Sequence, residues 1–180
     1  MRKDAPGWAA GFSLMEAVAV VAVASILLAL ALPSLQGLLE RQRTGAALHL
    51  LATELALARN TAISRRTPVT VCPSRGDGLC RVDTDWSTGW LIYLDPKRSP
   101  QPRTSGDILQ QSHQPVHPTI RVQSTVGRLR VRYQPAGFSG GTNLTLRICA
   151  GKRLYGEVVV NNAGRPRTHR RTDSVACPFP

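Results

Sequence analysis

The residues best able to do chemistry in this 180-residue chain are cations gathered toward its C-terminal end. Eleven stand between positions 121 and 171: Arg121, Arg128, Arg130, Arg132, Arg147, Lys152, Arg153, Arg165, Arg167, Arg170 and Arg171. The only acid in that span is Glu157, so eleven cations less one carboxylate leave it at +10. Ten of the eleven are arginines, whose planar fork of donors matches the oxygens of phosphate. Within the span lies Gly164-Arg165-Pro166-Arg167. Such a cluster recognises oxyanions; it does not make or break bonds.

Other reactive residue types are arranged less productively. His49, His113, His117 and His169 are scattered, and the i,i+4 pair His113/His117 lies among prolines, where no helix would align it on a metal. Asp77, Asp83 and Asp85 are close in sequence but lack the alternating oxygens and final Glu of a calcium loop, so they are expected to form turns. Cys72, Cys80, Cys149 and Cys177 show no C-x-x-C spacing of a zinc site. Four cysteines allow three pairings. A short loop through Pro73, Gly76 and Gly78 favours Cys72–Cys80, which leaves Cys149–Cys177 to tie the C-terminal tail to a strand. No nucleophile motif or phosphate-cradling loop is present. The expectation is a non-enzyme with no cofactor, no catalytic residue and no metal site.

The formal charge is +12 and the isoelectric point about 11.0. An excess of this size implies nucleic acid, anionic lipid or an acidic protein as partner, or a solvated basic face that aids solubility.

These residues must be positioned by what precedes them. After Glu16 no charge occurs until Glu40, leaving the 23 positions 17–39 almost wholly apolar. At about 1.5 Å per residue, a helix of that length can span a bilayer. Glu16 at its edge is unusual, because a carboxylate near mid-membrane costs at least ~2.5 kcal/mol and marks a function. Pro33 is expected to bend or break the helix. From 40 to 64, Leu48, Leu51, Leu55, Ala58 and Ala62 recur at steps of three and four, which predicts an amphipathic helix. Gly45 is its weak point, and Thr67-Pro68 ends it near Ser64.

Beyond Pro68 the period falls to about two. Strands are expected at 69–72, 90–94 and 128–133, at 144–149 and 154–161, and more weakly at 108–111 and 119–123. The segment 95–118, rich in Pro, Gln and Ser, reads as a long loop or poorly ordered excursion. Helix followed by several closely spaced strands predicts an α+β fold with an antiparallel sheet packed on the amphipathic helix.

Gly11-Phe12-Ser13-Leu14-Met15-Glu16 near the start, followed by the apolar run, resembles a type IV pilin or pseudopilin signal. A secretory signal would instead carry a basic segment, a shorter apolar core and a small-residue cleavage site behind it. The strings Ala58-Arg59-Asn60-Thr61-Ala62-Ile63-Ser64-Arg65, Val69-Thr70-Val71-Cys72-Pro73 and Gly89-Trp90-Leu91-Ile92-Tyr93 are similar to the GspH/FimT group of minor pilins and pseudopilins. The resemblance implies a pilin-like fold and four segments: leader 1–11, membrane-spanning or filament-core helix 12–39, amphipathic helix 40–64 and β-rich domain 65–180. It implies cleavage between Gly11 and Phe12 by a prepilin peptidase and N-methylation of Phe12. The subunit would sit in the inner membrane, its C-terminal domain in the periplasm, before joining other pilins in a filament. There Glu16 would meet the amine of a neighbouring Phe12.

Gly164-Arg165-Pro166-Arg167 matches the G-R-x-R motif of FimT proteins that bind DNA for natural transformation. By that resemblance Arg165 and Arg167 are the main DNA contacts, and Gly164 lets the backbone turn close to phosphate. No aromatic stripe that could stack bases is visible near Arg165, so duplex backbone is the expected ligand. Arg170, Arg171, Lys152 and Arg153 join them on charge alone. The alternatives are a GspH-like pseudopilin of type II secretion, or a subunit that only primes filament assembly.

Overall fold

The computed structural model describes residues 13–179. The expected leader 1–11, with Gly11, and the expected mature N-terminus Phe12 lie outside the described residues, as does Pro180. The described residues form two compact units, one ending at Leu39 and one beginning at Glu40.

Helix α1 runs from Leu14 to Ser64, 51 residues. Ser13 caps its start, its hydroxyl accepting the Glu16 N–H at 3.2 Å, one of the donors that a first turn leaves without an intrahelical partner. In the unit ending at Leu39, apolar side chains such as Leu14, Val21, Leu28 and Leu35 are exposed. Among the described residues no single helix is long and apolar enough to cross a membrane. The pair Leu14–Leu30 and Leu35–Ser64, broken at the stretch that holds Pro33, qualifies by length and composition when its members are taken together.

From Glu40 onward the helix becomes one-sided. Ala47, Leu48, Leu51, Leu55, Ala58 and Ala62 are buried in the main core. The helix continues through Gly45 without interruption. It stops where Arg66 takes a left-handed conformation (φ 49°), and Pro68 then forbids a further turn.

Two four-stranded antiparallel sheets complete this unit. The first has the order β3-β2-β1-β5, built from β1 Val69–Pro73, β2 Gly89–Leu94, β3 Ile108–His113 and β5 Val131–Tyr133. The second has the order β4-β6-β7-β8, from β4 Ile120–Ser124, β6 Leu144–Ala150, β7 Arg153–Val160 and β8 Pro166–Ala176. Strands β4 and β7 alternate buried with half-buried residues, as strands with one covered face do. By contrast β1 is buried throughout. Its outer face belongs to a second small core of Cys72, Cys80, Leu91 and Tyr93, with Ile108 against it.

That second core explains the first departure from expectation. The segment after Leu94 is held, not loose. Tyr93 Oη donates to the Ser99 carbonyl at 2.8 Å, and the Gln101 amide brackets Cys80 by accepting its N–H (2.6 Å) and donating to its carbonyl (2.9 Å). A short 3-10 turn, Ser105–Asp107, then leads into β3. Cys72 is bonded to Cys80 and Cys149 to Cys177.

Two strands differ from their expected bounds. β5 begins at Val131, not 128, because the Arg128 guanidinium turns inward to the Arg130 and Thr142 carbonyls and the Ser139 hydroxyl. β8 occupies basic C-terminal residues outside the expected strands. The aspartates serve turns: Asp77, Asp83 and Asp85 each accept an N–H two residues on, and Arg81 pairs with Asp83 at 2.6 Å.

Glu54 is the buried carboxylate of α1. Its Oε1 accepts from Gln110 Nε2 at 2.6 Å, while Oε2 has no partner. Burial raises its pKa, and the Gln110 bond only partly opposes this. The folded state therefore holds this proton more tightly than the unfolded chain. Stability from this group is full below the unfolded pKa and is lost as pH rises through the raised folded one. Urea midpoints of residues 40–180 should fall across that window, and Glu54→Gln should flatten the fall. An unchanged pH profile in the variant would remove Glu54 as its source.

Candidate nucleic-acid interface

β8 is the edge strand of the second sheet and is almost wholly exposed. An edge with a free row of backbone donors invites unwanted pairing, and charged side chains discourage it. Register with β7 sorts its residues by face. Arg167 lies opposite Val159 and His169 opposite Glu157, on the face turned away from the core. Arg170 lies opposite Gly156, whose missing Cβ makes room for Leu48 of α1. Arg170 accordingly reaches the helix, its guanidinium 2.7 Å from His49 Nε2. In this contact His49 Nε2 is the acceptor, since the guanidinium can only donate.

The seven residues expected to bind DNA are thus dispersed. Arg165 and Arg167 sit together at the β7–β8 turn, both exposed, with no ion pair among the described residues. On extended backbone, residues two apart share a face at about 7 Å. Lys152 and Arg153 lie at the opposite end of β7, eight residues long, roughly 23 Å away at ~3.3 Å per residue. Arg153 is also engaged: it donates to the Thr172 carbonyl at 3.0 Å and stacks over Tyr155 at 5.0 Å. Arg171 stands 3.9 Å from Glu157. The Cys149–Cys177 bond, with the Cys177 N–H donating to the Lys152 carbonyl (2.8 Å), fastens this far end. A crosslink spanning 28 residues contributes about 3–4 kcal/mol in the loop-entropy account.

Gly164 packs against the protein's own backbone. It is buried, at φ +72°, and a Cβ there would stand 2.2 Å from the Gly137 carbonyl oxygen. Its close backbone approach is to Gly137 of the neighbouring loop. The Ser139 N–H donates to the Asn162 carbonyl (2.9 Å), and Arg59 Nε donates to the Gly137 carbonyl (2.8 Å). Helix α1, the 137–139 loop and the β7–β8 turn are thereby locked together behind Arg165.

Two features of this surface are not legible in the sequence. Phe138, about half exposed, has its backbone beside the Gly164 turn. Arg147 shares the outward sheet face with Arg167, and its charge is held by Glu157 at 3.0 Å. A phenylalanine between glycines and an arginine alternating with apolar residues are the available signals, but neither says which elements would meet.

This fold, a long helix against antiparallel sheet, is that of pilin-like subunits. The chain belongs to the GspH family: the model of type II transport protein GspH matches residues 47–164. The family consists of structural subunits, not enzymes. Two crystal structures of the type IV minor pilin FimU of Pseudomonas aeruginosa (strain PAO1) have a similar fold. In one, the match has a TM-score of 0.56 at 18% identity, covering 73% of this chain and 96% of FimU. In the other the values are 0.55 and 20%, covering 77% and 96%. No curated protein sequence matches significantly.

Proposed function

We propose that this chain is a minor pilin that binds duplex DNA without sequence preference and serves DNA uptake in natural transformation. The observation that carries this reading is the pair Arg165 and Arg167, exposed and unpaired on a turn fixed by three packed segments. A cation pair held by a rigid scaffold loses little freedom on binding phosphate. Phosphate contacts give affinity without sequence information. Phe138 is a single ring, whereas stacking on single strands uses several in succession, so duplex backbone is the preferred ligand.

The N-terminal residues fit delivery of this surface. In this reading a prepilin peptidase cuts between Gly11 and Phe12 and methylates Phe12. The exposed apolar residues up to Leu39 sit in the inner membrane and later among helices of other pilins. Glu16 there meets a neighbouring subunit's terminal amine, since a carboxylate in a dry setting needs an opposite charge. Lys152 and Arg171 add long-range attraction, and Arg170 and Arg153 act mainly within the fold. The GspH family model favours a second reading, a minor pseudopilin of type II secretion without DNA binding.

An electrophoretic mobility shift over a salt series separates the two. Residues 40–180, which hold the whole core, should shift a generic duplex, with affinity falling steeply as salt rises. Arg165→Gln with Arg167→Gln should largely abolish the shift. Any residual binding should show a log K against log salt slope shallower by roughly 2, at ~0.9 for each phosphate no longer neutralised. Wild-type affinity in that double variant would reject the assignment, and no shift by the wild-type domain would favour the secretion reading.

A further inference from the structure

A second basic site lies on the first sheet, separate from Arg165 and Arg167. The turn 95–100, the approach to β5 and the 140–141 loop enclose a cleft of about 530 Å³, within the ~300–1,000 Å³ range of small-molecule sites. Four arginines line it, Arg98, Arg128, Arg130 and Arg132, against one carboxylate, Asp95. Asp95 is already committed to Arg132 at 2.9 Å. None of the other three has a carboxylate within ion-pair distance among the described residues. Arg130 donates to the Pro100 carbonyl (2.5 Å) and meets the Tyr93 hydroxyl, and Arg128 donates to neutral oxygens.

An uncompensated charge is costly where solvent is restricted. Arg128 is half-buried, and burial pulls its pKa down, as expected for a cation with no acid beside it. Arg98 is held with φ +57°, a conformation rare for a residue bearing a side chain. The Ser99 N–H fixes that turn by donating to Asp95 Oδ1 at 2.6 Å. Backbone held in a sparsely populated region next to a polar cleft is a common mark of a binding site.

We propose that this cleft is an oxyanion site that takes a phosphate group carrying more than one negative charge. Four guanidiniums less one carboxylate leave +3, which a single carboxylate would not balance. Guanidiniums approaching from the 95–100 turn on one side and from the β5 segment on the other match the several oxygens of a phosphate. The site does not depend on DNA binding at Arg165.

The test is isothermal titration calorimetry of the full-length chain in detergent micelles, with pyrophosphate as probe at fixed ionic strength. Wild type should bind pyrophosphate and give no heat with acetate. Arg98→Gln with Arg130→Gln should weaken binding at least tenfold, while the charge-matched control Arg65→Gln with Arg103→Gln retains it. Arg98→Lys, which keeps the charge but loses the fork, should fall between. Equal binding of acetate, or binding by the Arg98/Arg130 variant within twofold of wild type, would overturn the site. Repeating the titration with a short duplex present identifies the source of the phosphate. Competition points to nucleic acid and unaffected binding to a free phosphate ester, and either supports the site.

Discussion

Replacing Asp95 with alanine should cost residues 40–180 roughly 3–5 kcal/mol of stability, the range for breaking one side of a buried ion pair. Asp95 is only 2% exposed and joins three parts of the first sheet. Its carboxylate accepts from Thr70 Oγ1 of β1 (2.7 Å), from the Ser99 N–H (2.6 Å) and from Arg132 Nε of β5 (2.9 Å). Its carbonyl accepts a further bond from Arg132 Nη2 (2.7 Å). Alanine removes the acceptor of the buried Thr70 hydroxyl and the counter-charge of the largely buried Arg132, which keeps only its bond to the main-chain carbonyl, and both groups are short of water to compensate. Asparagine keeps one acceptor oxygen and should cost less. Urea unfolding measures both. If alanine costs under about 1 kcal/mol, the pair is effectively solvated. Because Arg132 also lines the oxyanion cleft, added pyrophosphate should recover part of the loss in the alanine variant.

That network shows what can be read from a sequence and what cannot. The amphipathic half of α1 is legible because Leu48, Leu51, Leu55, Ala58 and Ala62 repeat at helical spacing and all enter one core. β4 and β7 are legible because one covered face imposes alternation. β8 is not, because an exposed edge strand buries no face and Pro166-Arg167-Thr168-His169-Arg170-Arg171 carries no apolar period. Its strand form comes from pairing with β7, a long-range fact.

The site divides in the same way. Arg165 and Arg167 stand out through a local motif, and they are neighbours in space because they are neighbours in sequence. Arg170 groups with them on charge, but strand register turns it toward His49. Lys152 likewise groups with them on charge, yet it lies one strand length away. The cleft is invisible in the sequence because its arginines come from two distant segments, and only the alternation of Arg128, Arg130 and Arg132 hints at a shared edge. The charge can be counted from the sequence, whereas its division into two sites depends on topology.

Gly164→Ala should separate the two roles a glycine could have in the Gly164-Arg165-Pro166-Arg167 string. At φ +72° an alanine backbone is strained by about 1–3 kcal/mol. Its Cβ would lie 2.2 Å from the Gly137 carbonyl oxygen, a backbone atom that cannot rotate away. Gly137 has little room to retreat, since Ile63 and Arg59 of α1 press on its other side. Overpacking adds ~1–3 kcal/mol, so a total loss of roughly 2–6 kcal/mol is expected, measured by urea unfolding of residues 40–180. Arg165→Gln and Arg167→Gln remove exposed side chains that have no ion-pair partner among the described residues and should stay within ~0.5 kcal/mol of wild type. On the proposed reading, DNA affinity then falls in both cases for different reasons. The glutamines remove phosphate contacts from an intact fold, whereas the alanine displaces the turn that aims them. The diagnostic result is the opposite one. A Gly164→Ala protein with wild-type stability and no DNA binding would mean that the glycine is needed for close approach of phosphate, and that the Gly137 backbone yields without cost. Reduced stability with binding that recovers under stabilising osmolyte would place the requirement in the fold, where the burial of Gly164 puts it.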